Sequence, residues 1–513
     1  MNGVNWVALT VFVLLFGFIT WLGFVAAHWR RGDLDQLHEW GLGGRRFGTM
    51  VTWFLVGGDV YTAYTFIAVP ALAFGAGAIA FFAVPYTVMI YPILFLAFPR
   101  IWQVAHKHGY ITAGDFVKGR YGNRWLALAV SVTGIVATMP YIALQLVGLQ
   151  VVIAAMGVSG AGLVGDLPLI IAFVVLAAFT YSSGLRAPAA IAIVKDALIY
   201  LTAFTAAIVI PIQLGGFSHI FAAVPAQKLL LAMPGPNTTG AYGVYITLAV
   251  GSAMALFLYP HSLTGILSAS SSHAVRRNAA MLPAYSFMLG ILALFGFFAL
   301  AAGVDKLPEF AAGFAQYKAS FAVPALFLHS FSSWFVGIAF AAIGIGALVP
   351  AAIMSIAAAN LYTRNIHREF FNTNPTDKQE SQIAKWVSLI VKLGALVFVL
   401  FVPSQYAIQL QLLGGIWIIQ TFPSVVVGLY TRWFNDWALL LGWAVGTGTG
   451  TAMAAAMNFT PTYPLVLGGM TFSGYTALYT VMLNLAVAIV LTPVFNALGA
   501  ARRDETAPAD YHA

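Results

Sequence analysis

The chain contains no cysteine, which excludes disulfides, thiolate metal sites and cysteine nucleophiles and leaves the redox compartment undefined. Charge is almost as scarce. Only 8% of the 513 residues are Asp, Glu, Lys or Arg, against about 25% in a soluble domain. No His/Asp/Glu grouping has metal-ligand spacing. There is no Ser-His-Asp order near a nucleophile elbow and no Gly-Lys-Ser/Thr phosphate loop, so neither a membrane enzyme nor an ATP-driven pump is indicated. A repeated pore-lining signature, expected of a channel, is also missing.

What is present is apolar. Hydrophobic residues make up 61% of the chain and mean hydropathy is +0.88, which describes a polytopic membrane protein embedded in a lipid bilayer. The 24 Lys+Arg and 16 Asp+Glu give a net charge of +8. The basic residues lie in short loops between apolar runs rather than on one face, so nucleic acid is not an expected partner. The first apolar run, Trp6 to Ala27, lacks a basic region before it and a small-residue cleavage pattern after it, and reads as a retained span.

Windows of about twenty apolar residues predict roughly thirteen helices, at 5–28, 48–73, 77–101, 125–157, 163–184, 188–213, 240–263, 277–303, 325–363, 383–403, 406–431, 436–458 and 469–498. With the N-terminus outside, the inner loops collect Arg30, Arg31, Arg45, Arg46, Arg100, Lys107, Lys118, Arg120, Arg124, Arg276 and Arg277. They also receive Arg364, Arg368, Lys378, Lys385, Arg432, Arg502 and Arg503, whereas the outer loops hold only Lys228, Lys306 and Lys318. The positive-inside rule then sets the C-terminus in the cytoplasm and requires an odd number of spans; a bacterial inner (plasma) membrane is the expected location. Two outer loops, 215–240 and 304–322, are long enough for short surface helices. The polar tail 500–513 is expected to be disordered, and His106, His108 and His273 are expected to be solvated loop residues.

Asp59 is the most informative residue. It follows Gly57-Gly58 inside the apolar stretch Phe47 to Ala73, with Pro70 beyond it. A carboxylate at that depth is costly unless it faces a cavity or an ion path, and the flanking Gly and Pro predict a broken helix. Five spans later the seventh span carries Gly251-Ser252 and Tyr259-Pro260-His261. Interruptions in matching places of two halves point to a transporter's binding site, and five helices followed by five form an inverted repeat.

Seven ordered segments carry a resemblance. They are LHEWGLGGRRFG (37–48), HGYITAGDFVKGRYG (108–122), MPYIALQLVGLQ (139–150), SSGLRAPAAIAIVKDALIY (182–200), a stretch from Tyr259 to Tyr285, PAAIMSIAAANLYTRNI (350–366) and a stretch from Leu412 to Gly446. Together they resemble the sodium/solute symporter family, and the wording of the fourth and sixth is most similar to its monocarboxylate (lactate/pyruvate) permease branch. The resemblance implies a single all-α transport domain with a leucine-transporter-type 5+5 inverted repeat. Residues 1–46 would be the first helix and inner loop, 47–213 and 238–432 the two repeats, and 433–499 two peripheral helices. It implies alternating access, a small monocarboxylate substrate and no cofactor beyond a coupling ion. A need for a small accessory subunit stays open. So do a sodium-coupled symporter of another small solute, such as an amino acid or acetate, and a membrane nutrient sensor.

The coupling ion is proton or sodium. Sodium needs a shell of oxygens, partly from the carbonyls of a broken helix. The Ser/Thr pair that typical family members place on the ninth span falls here near Val349-Pro350, which offer no side-chain oxygen. A proton needs only a titratable group whose exposure alternates, and Asp59 is the preferred candidate. Asp59 could equally assemble a sodium site with Gly58, Thr62 or Ser355, or cap a half-helix beginning near Val60. For the substrate, donors are sought near half-helix N-termini: Thr62, Tyr64, Thr65, Gln145, Tyr259 and His261, with Trp53 and Phe257 as apolar walls. For the aromatics, helix packing is an equal reading, and for Gln145 so is a helix–helix hydrogen bond. Lys195 and Asp196 are expected to form an ion pair or inner gate. Lys392 would snorkel toward the inner face or meet the substrate.

Overall fold

The computed structural model describes residues 3–29, 32–58, 61–158, 163–401, 408–499 and 503–511; the side chains of 27, 163–166 and 398–401 lie outside that description. Asp59, Val60, Arg30, Arg31 and Arg502 are likewise outside it.

Nearly every backbone hydrogen bond inside a bilayer must be internal, and the chain answers with helices. The ones that position the site are α1 (Trp6–Val25), α2 (Thr49–Gly57), α3 (Val69–Ala76), α4 (Ala83–His108), α5 (Ala113–Tyr121), α6 (Arg124–Ala155), α7 (Leu163–Ser183) and α8 (Arg186–Gln213). They continue with α9 (Gly240–Leu256), α10 (Pro260–Leu267), α11 (Pro283–Ala293), α12 (Ser333–Tyr362), α13 (Asp377–Phe401), α14 (Ile408–Ile418), α15 (Asp436–Ala456) and α16 (Thr476–Ala497). At the centre runs α12, whose stretch from Ala339 to Leu361 is entirely buried. Its Ala and Gly residues allow α1, α6, α8 and α13 to pack close around it.

Among the described residues nine helical stretches are long and apolar enough to cross a membrane, or ten if α9 and α10, bent by 46°, count as one span. The expected thirteen are not reached on this count. The second span breaks after nine residues of α2, and its remainder runs into the third as one stretch, Tyr64–His108.

The first break has a clear local cause. A Cβ on Gly57 would strike the Tyr285 ring, and one on Gly58 would strike the Phe54 carbonyl and Lys195 Nζ. The glycine pair is therefore required by close approach, not by a positive φ. Gly58 N–H makes the last helical bond among the described residues of this half, to the Phe54 carbonyl at 3.0 Å. Helix resumes at Ala63 through a reciprocal cap: Thr62 Oγ1 accepts from Tyr64 N–H at 3.0 Å and Thr65 Oγ1 from Thr62 N–H at 3.2 Å. Thr62 thus caps the half-helix at Ala63; the cap expected from Asp59 near Val60 lies outside the described residues. The second break lies between Leu256 and Pro260, with Tyr259 extended at ψ 135°. Pro260 opens α10 without an N–H to satisfy, and Ser262 Oγ donates to the Leu256 carbonyl at 3.3 Å.

On the basic face, Glu39 fastens the 37–48 loop. It accepts from Arg186, which also binds the Glu39 carbonyl at 2.9 Å, and from Arg46 at 2.8 Å. Arg186 is completely buried. The two long loops carry the short helices Phe217–Ala223, Ala226–Leu229 and Ala311–Tyr317, as expected.

Two expectations are corrected. Residues 469–475 do not begin a span: β1 (Thr462–Leu467) and β2 (Met470–Tyr475) form an antiparallel hairpin. Its two-residue turn is Gly468-Gly469 at φ +57° and +80°, the left-handed pair that such tight turns require. Residues 503–511, expected to be disordered, are docked on the basic face. Asp504 pairs with Arg120 and Arg432, Glu505 N–H donates to the Gly119 carbonyl at 2.8 Å, and Asp510 meets Lys107 at 2.5 Å and His108 at 2.7 Å. His108 is therefore not a freely solvated residue. Hydrogen bonds from Lys107 and His108 hold the Asp510 carboxyl below the usual carboxylate range.

A carboxylate whose folded value is lowered supports docking above its free value and loses that support only as pH falls through the folded one. We therefore expect hydrogen exchange over 503–511 to stay slow from neutral pH down through the ordinary carboxylate range, and Asp510→Ala to accelerate it at pH 7. Equal exchange in variant and parent would refute the tail contact.

Candidate functional site

Two polar constellations meet the first helix break, one on each side. On the α2 side, Lys195 projects from α8 and donates to the carbonyls of Gly58 and, at 3.1 Å, Tyr61. It lies 3.1 Å from Asp196 Oδ1. The other oxygen of Asp196 accepts from the Tyr285 hydroxyl at 2.8 Å, and the Tyr61 hydroxyl donates to the Tyr285 carbonyl at 3.2 Å. Lys195 and Asp196 are both 0% exposed. Trp53, expected beside the substrate, packs edge-on against Tyr285 with centroids 4.9 Å apart, so it walls this constellation instead.

On the other side, Gln145 reaches across from α6. Its Oε1 accepts from Ala63 N–H at 3.2 Å, taking one of the unpaired donors at the start of the half-helix. Its Nε2 has no hydrogen-bond partner among the described residues, although Gln145 is 1% exposed. One turn earlier on the same face of α6, Tyr141 packs against Tyr259 and His261 at 5.2 and 5.3 Å, and those two rings are 5.4 Å apart. Gln145 and Tyr141 therefore bridge the two breaks. Tyr64, on the half-helix itself, meets Tyr86 edge-on at 6.4 Å. The Tyr259 hydroxyl is committed to the Gln411 carbonyl at 2.8 Å. Beside the second break, a cavity of about 10 Å³ is lined by Thr112, Gly134, Pro260, Thr264 and Thr421, room for about one water.

The remaining sequence candidates separate. Asp59 lies outside the described residues. The hydroxyl oxygens of Thr62 and Thr65 are engaged as caps. Phe257 stacks edge-on with Phe98 at 5.5 Å and lines a small crevice with Leu258 and Ile101. Ser355 is grouped not with Gly58 but with α13: Ser388 Oγ donates to it at 3.1 Å, and Lys392 donates to Ser388 at 3.0 Å. Lys392 is 0% exposed; it does not snorkel, because Ser388, one turn earlier on its own helix, offers an acceptor in place. Sequence reasoning missed Tyr61, Tyr141 and Tyr285. Tyr141 had a usable signal, since it stands four residues before Gln145 and shares its helix face; the pairing of Tyr285 with Asp196 joins positions 89 residues apart and left none.

An anion placed at the start of the half-helix would meet its positive dipole end and the free amide of Gln145. Gln145→Glu keeps the acceptor for Ala63 N–H and removes the free donor. A hydrogen bond to a charged group contributes about 1.5–3 kcal/mol, so KM for a small anion bound there should rise at least about tenfold while the protein stays folded. An unchanged KM would remove Gln145 from the site.

Comparison with known proteins follows the same lines. The family model "Sodium:solute symporter family" matches residues 40–446. The chain is 51% identical over 502 residues to a monocarboxylate transport permease protein of Rhizobium johnstonii, covering 96% of this chain and 98% of the relative. It is 30% identical over 494 residues to an uncharacterized symporter of Bacillus subtilis, covering 96% and 94%. Among solved structures, a substrate-bound outward-open Na+-coupled sialic acid symporter superposes with a TM-score of 0.74 at 16% identity, over 95% of this chain and 98% of that one. A nucleobase-cation-symport-1 family transporter in a closed conformation gives 0.51 at 12% identity, over 94% and 100%. These two show the fold, that of leucine-transporter-type symporters.

Proposed function

Since the chain belongs to the sodium:solute symporter family, we propose that it imports short-chain monocarboxylates such as lactate and pyruvate by alternating access, driven by the proton gradient across a bacterial plasma membrane. The observation that carries this reading is the buried Gln145 Nε2 at the start of a half-helix, without a hydrogen-bond partner among the described residues. A carboxylate is the ligand that both the helix dipole and a free N–H donor would favour. The printed name of the Rhizobium relative supports the same substrate class.

In operation, the substrate carboxylate would take Gln145 Nε2 and the half-helix N–H groups while Tyr64, Tyr141 and His261 enclose the remainder. The two breaks allow the half-helices on either side to tilt separately, which opens the site to one face at a time. The basic loops would face the cytoplasm, with the N-terminus outside. For coupling, Asp59 is the group proposed from sequence, and Asp59→Asn is expected to abolish uptake driven by a pH gradient.

Two measurements test the reading. Uptake of labelled pyruvate should be inhibited by excess lactate, propionate and acetate, and little by proline; proline as the strongest competitor would overturn the substrate class. Uptake should survive replacement of sodium by choline and collapse with an uncoupler. Strict sodium dependence that persists with the uncoupler would reverse the choice of ion and favour the sodium-coupled alternative.

A further inference from the structure

We propose that the substrate leaves its site along one face of α6 toward the basic face, and that Ile111 is the plug that closes this route. The inference rests on the alternating-access reading above, and not on the choice of acid or coupling ion.

Gln145, Tyr141, Thr138, Gly134 and Val130 follow one another at steps of three or four residues along α6. They therefore share one face, which runs from the half-helix toward the basic end of the helix at Arg124. From Gln145 to Gly134 the track covers about 16 Å. Along it, Tyr141 meets Tyr259 and His261 of the second break. Two turns on, Gly134 and Pro260 line the water-sized cavity described above. A Cβ on Gly134 would stand 2.7 Å from Leu361 and 2.8 Å from Pro260, so any side chain there would close the track between α10 and α12.

Ile111 lines this inner cavity too. It also lines a second cavity, of about 330 Å³, whose wall includes His38, Arg45, His106, Arg364 and Glu380. Ile111 is the residue that the two spaces share, and it is only 4% exposed. An apolar side chain between a water-sized void and a charged basin is a hydrophobic constriction of the kind that blocks ions and water until it moves. Beyond it, Arg45, Arg364 and Arg368 outnumber the acids Asp377 and Glu380, leaving a positive excess that draws a carboxylate outward from the membrane. A neighbouring crevice borders the inner cavity at Ala113, Leu258 and Leu263, but its wall carries no polar side chain. An anion would lose its hydration there without compensation.

The plug is held from two sides. Asp115 accepts from Ile111 N–H at 2.9 Å and from Asn365 at 2.9 Å, and lies 3.4 Å from Arg364 Nε. Thr112 donates to Asn365 at 2.7 Å. These contacts fasten the 110–115 segment to the residues that follow α12. From the other side, Arg45 donates to the Tyr110 carbonyl at 2.5 Å and to the Ala105 carbonyl at 3.2 Å. Arg45 stands in the loop that leads into α2, the first half of the broken span. A tilt of that half is thus passed through Arg45 to Tyr110, and Ile111 withdraws as the Asp115 and Thr112 contacts part from α12. The substrate site and its exit are linked by backbone contacts within a few residues of each other.

The test uses the absence of cysteine from the chain. Thr264→Cys places a sole thiol in the inner cavity, and its labelling by a charged, hydrophilic maleimide is followed with time in purified full-length protein. Adding Ile111→Ala should accelerate labelling at least about tenfold, because truncation removes packing that only the closed state has. Adding Val426→Ala instead, which thins the neighbouring crevice and not the Ile111 layer, should leave the rate as in T264C alone. An unchanged rate with Ile111→Ala would overturn the proposal, and acceleration by Val426→Ala alone would move the exit to the crevice. If T264C/I111A is not monodisperse, Ile111→Cys by itself decides. As the sole thiol it should be labelled from the basic-face cavity, and labelling should abolish uptake that the unlabelled variant retains. No labelling, or uptake that survives complete labelling, would overturn the plug. The labelling rates need no substrate, so parent protein that accumulates no monocarboxylate would defeat the proposed function while leaving this comparison readable.

Discussion

A helix interrupted at mid-membrane leaves carbonyls on one side of the gap and N–H groups on the other, with no water to receive them. In this protein the carbonyls of Gly58 and Tyr61 are taken by Lys195, and the N–H of Ala63 by Gln145. Neither partner comes from the broken span itself: one stands on α8 and the other on α6. Among the described residues, two other helices thus deliver a lysine and an amide to the gap, beside the Thr62–Thr65 cap that the span supplies itself. The arrangement is also directional, since a donor serves the side rich in acceptors and an acceptor the side rich in donors. The second break needs no such outside help at its restart, where Pro260 has no N–H and Ser262 covers the Leu256 carbonyl from within the same segment. Two interruptions that look equivalent in the chain are thus satisfied by different means.

The basic-face loop shows the same logic at higher charge. Glu39 is nearly buried and serves two arginines, one of them, Arg186, fully enclosed. Burying such a group is unfavourable alone, and removing one member of a buried pair costs about 3–5 kcal/mol because the other is left without compensation. The clamp holds the loop that leads into α2 against the first residues of α8. It therefore sets the height at which Lys195, nine residues further along α8, meets Gly58.

Much of this was legible in the sequence, for identifiable reasons. Long apolar runs announce helices because a bilayer demands them, and Gly57-Gly58 announced the break because nothing larger fits there. Gln145 stood out as an amide among apolar neighbours. Lys195 and Asp196 were legible as a pair but not as partners of the break, because hydrogen bonds to backbone carbonyls leave no trace in residue type. The association of Ser355 with Lys392 rather than with Gly58 depends on which face of α12 points where, and a helix apolar all round carries no such mark. The hairpin at Gly468-Gly469 was hidden because Met470, Phe472 and Tyr475 let its second strand read on into the apolar span that follows. The tail was misjudged on composition alone: its carboxylates look solvated until Arg120, Lys107 and Arg432 are seen to be waiting for them.

That tail reaches three separate parts of the basic face: the end of α4 at Lys107 and His108, α5 at Gly119 and Arg120, and the turn before α15 at Arg432. These come from opposite ends of the polypeptide, yet nine residues stitch them into one plinth. Any rocking of the transporter that parted α5 from Arg432 would have to tear those stitches first, so these elements are tied to travel as one piece.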